Sequence, residues 1–199
     1  MEPVLRLRRF LEQPPPASAQ TAERCDFCAV PLDREHRHIV DIESRRLICA
    51  CRACWLLFTN PASAGGRYRS VGDRRERVEE EFDWNELAMP TGIAFFIRSS
   101  KMDRVAGFYP SPGGATESGL SFEVQQPVFR KLEADVEALL VYKRREQTEC
   151  WIVPVDACYE LVGRIRRCWH GFDGGPETRN AIEGFFETLR EPGNGPWQI

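Results

Sequence analysis

The sequence predicts an α+β chain in which a small cysteine-stapled hairpin precedes an antiparallel-sheet domain. Three observations predict it. Five cysteines fall within residues 25–54, strand-length apolar runs occur as adjacent pairs, and stripes of helical period follow those pairs.

The elements read in order as follows. Val4, Leu7 and Leu11 repeat at helical spacing, and Pro14-Pro15-Pro16 then imposes an extended spacer, so residues 1–23 are expected as a short helix and a proline-rich tether. Residues 24–60 are expected as a metal module. Cys25-x2-Cys28 makes one knuckle and Cys51-x2-Cys54 the other, and His36–Ile42 and Arg45–Ala50 alternate as two strands between them. If Ile42 faces Arg45, Val40 lies opposite Leu47 and His38 opposite Cys49. That is a zinc ribbon, with an ion in place of a core.

Residues 61–77 are expected as a linker, because Ala64-Gly65-Gly66 interrupts regular structure and five arginines between Arg67 and Arg77 give a basic bias. Residues 78–199 are expected as the α+β domain. Asp83 is placed to cap a helical turn. Gly92–Arg98 and Arg104–Tyr109 read as a hairpin, Pro110–Gly114 as a loop, and Phe122–Glu133 as a helix that Pro127 starts or kinks. Glu137–Lys143 and Glu149–Val155 read as a second strand pair. Asp156 is expected to cap a helix running to Trp169, and Pro176 to open a last helix over Glu177–Leu189 after a glycine-rich loop.

Composition narrows the function. Hydrophobic residues make up 42% and charged residues 29% of 199, a globular balance, and a chain of this size buries roughly 70% of its unfolded surface. The net charge of −3 argues against a chain built wholly for nucleic acid. No apolar run reaches the length of a membrane span, and Arg8-Arg9-Phe10-Leu11 lacks the apolar region that an export signal needs next. A cytoplasmic location is expected, where reduced thiols bind metal in preference to forming disulfides.

The metal argument follows from ligand chemistry. Four thiolates from Cys25, Cys28, Cys51 and Cys54 close a tetrahedron with no position left for water or substrate, which is the signature of a structural zinc site. Rubredoxin-type iron is the alternative. Rubredoxin knuckles carry glycine after the second cysteine, where this chain has Ala29 and Trp55, and zinc is preferred on that ground. Cys49 and His38 are a possible secondary pair, as spare ligand, redox thiol or base. The reading preferred for them is a small buried side chain beside a satisfied histidine, with His36 on the surface. Arg24, Arg34, Arg37, Arg45, Arg46 and Arg52 surround the ribbon, but five nearby carboxylates nearly offset them, so nucleic-acid binding stands only as a further alternative. Cys150, Cys158 and Cys168 are read as core cysteines. No Ser/His/Asp order, phosphate loop or dinucleotide fingerprint is found, so no catalytic residue is assigned.

One resemblance extends this reading. Cys25-Asp-Phe-Cys28, His36-Arg-His38-Ile, Leu47-Ile-Cys-Ala-Cys51-Arg-Ala-Cys54, Ala94-Phe-Phe, Phe108-Tyr-Pro-Ser-Pro and Pro154-Val-Asp-Ala-Cys-Tyr-Glu-Leu-Val-Gly163 resemble an uncharacterised bacterial zinc-ribbon family encoded beside [NiFe] uptake hydrogenases. The resemblance covers nearly all of residues 24–190. It implies a non-catalytic accessory protein whose partner is a hydrogenase subunit or maturation factor, and no catalytic residues.

Overall fold

Two antiparallel sheets of unequal size carry the chain. The computed structural model describes residues 23–79, 91–122, 126–144, 147–171 and 174–191. The expected N-terminal helix and the turn at Asp83 lie outside them.

The first sheet begins with β1 (Arg37–Asp41) and β2 (Arg46–Ala50), joined by a turn in which Arg45 takes a left-handed φ of 55°. The register places His38 opposite Cys49 and Val40 opposite Leu47, as the alternation predicts. Helix α1 (Arg52–Phe58) follows, and β3 (Tyr68–Ser70) returns to pair with β1, giving the order β2-β1-β3. Because strand side chains alternate, the hairpin has two apolar faces. One carries Ile39, Ile48 and Ala50 and packs on Phe27, Trp55, Phe58 and Tyr68, the ribbon's own small core. The opposite face carries Val40, Ile42 and Leu47 and packs on Val71, Val136 and Val155, which joins the ribbon to the rest of the chain.

The second sheet contains β4 (Glu76–Val78), β5 (Ile93–Ser99), β6 (Arg104–Ser111), β7 (Gly114–Phe122), β8 (Glu137–Arg144) and β9 (Gln147–Pro154), in the order β4-β9-β8-β5-β6-β7. Helix α2 (Pro127–Arg130) lies between β7 and β8, and α3 (Val155–Cys168) and α4 (Gly175–Arg190) follow β9. The central strands read as near-continuous apolar runs because both their faces are covered. Phe95, Leu140 and Trp151 share one face and pack on Ala157, Leu161 and Ile165 of α3 and Phe185, Phe186 and Leu189 of α4. Phe96, Leu139 and Ile152 share the other and pack on Val128, Phe129 and Leu132. Cys150 and Cys158 are buried in this core as expected, and Cys168 is half-buried.

Four expectations need correction. The stretch 61–77 is not without regular structure: it carries β3 and the start of β4, one strand for each sheet. Arg69 donates to the Ala134 carbonyl at 2.9 Å and to Glu133, and Arg74 donates to the Lys131 carbonyl at 3.1 Å and to Glu137, so its arginines tie it down. The proline loop at 110–114 is a tight turn that leads into β7. That strand is composed largely of glycine, serine, threonine and glutamate and lies at the sheet edge, where it needs little apolar character. The helix expected over Phe122–Glu133 shrinks to four residues with Pro127 in its first turn. Asp156 is not the cap of α3. Pro154 holds that position, and the Asp156 side chain points instead at the ribbon.

Candidate metal centre

Each knuckle is built by the backbone around a sulfur. In the first, Ala29 N–H donates to the Cys25 carbonyl at 2.7 Å, and Ala29 turns the chain with a φ of 60°. In the second, Cys51 stands at the N-cap of α1, and Cys54 N–H donates to Cys51 Sγ at 3.5 Å. Asp26 joins the first knuckle to β2: its N–H donates to the Cys49 carbonyl at 2.9 Å, and its carboxylate accepts from Cys49 N–H at 2.7 Å. Stacked Phe27 and Phe58, with centroids 4.1 Å apart, close the apolar side, and Trp55 Nε1–H donates to Ser70 Oγ at 2.9 Å.

This frame brings the sulfurs of Cys25, Cys28, Cys51 and Cys54 all within 4.8 Å of one another. Cys28 Sγ and Cys51 Sγ are 3.8 Å apart. Four thiolates at the zinc–sulfur distance of about 2.3 Å lie roughly 3.8 Å apart at the edges of a tetrahedron, so the four residues fit such an ion. Burial raises the Cys25 thiol, but the amides of Cys51, Cys28 and Phe27 outweigh it and bring it to about 6. Cys54 is driven the other way, by burial first and then by the neighbouring thiols. Four thiols this close cannot all ionise without a cation, and a divalent ion removes that conflict.

The left-handed Ala29 bears on the choice of metal. The turn that rubredoxins make with glycine is made here by alanine, so the missing glycine does not separate zinc from iron at the first knuckle. The second knuckle differs, since Trp55 continues into a helix.

Cys49 and His38 do not join this cluster. They face the other side of the hairpin with His36, and one donor atom from each of His36, His38 and Cys49 lies within 4.8 Å of the others. The His36 side chain is 5% exposed, not on the surface as its loop position suggests. His38 Nδ1 is 2.9 Å from Asp156 Oδ2 at the start of α3. Burial pulls His38 down, but Asp156 and Cys49 outweigh it and lift the imidazole to about 9. The pattern His36-x-His38, opposite Cys49 in register, is the signal that reveals this group, since alternate residues of a strand share a face. Nothing local signals Asp156, which is 118 residues away in sequence.

A cleft of about 180 Å³ opens where the ribbon meets the larger sheet, lined by Leu47, Ile97, Phe108 and Tyr159 among others. It falls below the 300–1,000 Å³ typical of small-molecule sites.

A family profile matches residues 24–193, which takes in both cysteine knuckles, both sheets and both long helices. The chain belongs to DUF5947, a family of unknown function. No curated protein and no solved structure matches it. For this DUF5947 member the donor sets, and not a characterised relative, are therefore the guide to chemistry. Among the described residues no helix is long and apolar enough to cross a membrane.

Proposed function

We propose that this DUF5947 chain is a non-catalytic zinc-binding accessory protein whose ribbon docks onto another protein. One observation carries the proposal: the helix that supplies Cys54 presents Leu56 and Leu57 outward, 57% and 61% exposed, beside a four-thiolate cluster that leaves no coordination position free. A closed cluster has no room to bind substrate, so its contribution is to hold α1 in place. With α1 fixed, the two leucines are presented as preordered apolar anchors, which lowers the entropic cost of docking. Val30, 44% exposed on the first knuckle, adds a further apolar side chain to the ribbon's exposed surface.

The sequence resemblance names the partner class, a subunit or maturation factor of a [NiFe] hydrogenase. The test combines metal analysis of the purified chain with capture against those purified proteins. A colourless chain with zinc in the four-thiolate site, whose capture is lost in Leu56→Asp, supports the reading. A red chain with iron there would overturn it in favour of an electron carrier. Retention on a polyanion column that falls with salt, without protein capture, would overturn it in favour of a nucleic-acid-binding ribbon.

A further inference from the structure

We propose that His36, His38 and Cys49 form a second metal site, separate from the four-thiolate cluster, that takes a divalent transition-metal ion of borderline softness such as zinc.

Four observations carry it. The three donors already converge within 4.8 Å, and none is a member of the other cluster. Donors around a tetrahedral zinc lie roughly 3.3–3.7 Å apart, so closure needs a contraction of about 1.5 Å at most. Each histidine has one ring nitrogen already engaged. His38 Nδ1 meets the Asp156 carboxylate at 2.9 Å, and His36 Nδ1 meets the Asp33 carbonyl at 3.0 Å. Metal-binding histidines characteristically hold their second nitrogen this way, against a carboxylate or a backbone carbonyl, which fixes the tautomer and aims the other nitrogen. The decisive atom is His36 Nε2: it is buried, and no hydrogen-bond partner reaches it. A buried lone pair without a partner is costly, and a shared ion would satisfy it.

The donor set defines the ion. Two imidazoles and a thiolate suit zinc and its first-row neighbours and exclude calcium and magnesium, which require oxygen. Three protein ligands leave one position for water or an exogenous donor. The site lies between the ribbon hairpin and the first turn of α3, so an ion there braces the ribbon against the larger sheet through Asp156. A competing chemistry uses the same residues without His36: Cys49, His38 and Asp156 stand in the order nucleophile, base and orienting carboxylate. Metal binding is favoured because, unlike that triad, it uses the orphaned His36 nitrogen.

The test compares the full chain, purified from zinc-supplemented growth under reductant, with His36→Ala and Cys49→Ser. Zinc is counted per chain, and alkylation of Cys49 by iodoacetamide is followed by peptide mass spectrometry. The expected result is two zinc ions in the native chain and one in each variant, with Cys49 alkylating at least tenfold faster in His36→Ala. The ion retained in the variants reports that the four-thiolate ribbon is still folded. His36 precedes β1, so its variant leaves the hairpin register untouched. A single zinc in the native chain, two in either variant, or none in both variants would each overturn the proposal. Fast Cys49 alkylation that is equal in the native chain and His36→Ala would overturn it in favour of the nucleophile.

Discussion

Val40→Ala tests the two-faced hairpin directly. Val40 is 6% exposed and lies on the face that packs against Val71, Val136 and Val155, while Ile39 beside it is fully buried on the face that packs the ribbon's own core. The substitution removes two methyl groups, about 1.6 kcal/mol at roughly 0.8 kcal/mol each. If the site does not collapse, a void of about 40 Å³ at about 24 cal/mol per Å³ adds roughly 1 kcal/mol. The expected cost is therefore about 2 kcal/mol, or about a 30-fold change in the docking equilibrium. The assay is urea unfolding of the zinc-loaded chain, followed both by far-ultraviolet circular dichroism, which the large sheet and its helices dominate, and by zinc release to a chromogenic chelator. Val40→Ala should shift both curves to lower urea, because the contact it weakens supports both sides. Ile39→Ala should chiefly advance zinc release. If Val40→Ala advanced zinc release alone, or cost less than about 0.5 kcal/mol, the hairpin face would not be the joint and the reasoning would fail.

Other predictions follow from single residues. Cys51→Ser removes a ligand and the N-cap acceptor of α1 together, so zinc should leave the four-thiolate site and α1 should lose hydrogen-exchange protection, while β8 and β9 keep theirs. Leu56→Asp should leave zinc content unchanged and the unfolding free energy within about 0.5 kcal/mol, since the side chain is exposed, and should weaken only partner capture. Gly174 precedes α4 with a φ of 81°, and a Cβ there would lie 3.2 Å from Trp169 and 3.3 Å from Thr178; Gly174→Ala should cost about 1–2 kcal/mol or more by thermal unfolding.

Much of the fold was legible because local pattern and tertiary role coincide in it. The β1–β2 register follows from alternation once the turn is placed at Glu43–Ser44, and both strand pairs of the larger sheet fall within a residue or two of their expected bounds. The elements that escaped are those whose reason for being extended is not their own side chains. Tyr68–Ser70, Glu76–Val78 and Gly114–Phe122 are strands because a neighbouring strand offers them hydrogen bonds, and two of them are edges of the large sheet. The four-thiolate cluster was legible because knuckle spacing is a local property. His36 escapes a local reading because its loop position suggests the surface, while its ring packs edge-on against His38 and meets the Asp33 carbonyl.

The five-cysteine cluster thus has separate sources for its two halves. Sequence alone picked out Cys25, Cys28, Cys51 and Cys54 as one group, since the C-x2-C spacing of each knuckle is a local property, and the fold brings the four sulfurs together. Only the tertiary structure decided where Cys49 belongs. It faces away from the other four sulfurs because Cys51, two residues on, has left the alternation of β2 for the N-cap of α1. Its surroundings are completed by His36, by His38 across the hairpin, and by Asp156, which packing of the ribbon against α3 brings to His38.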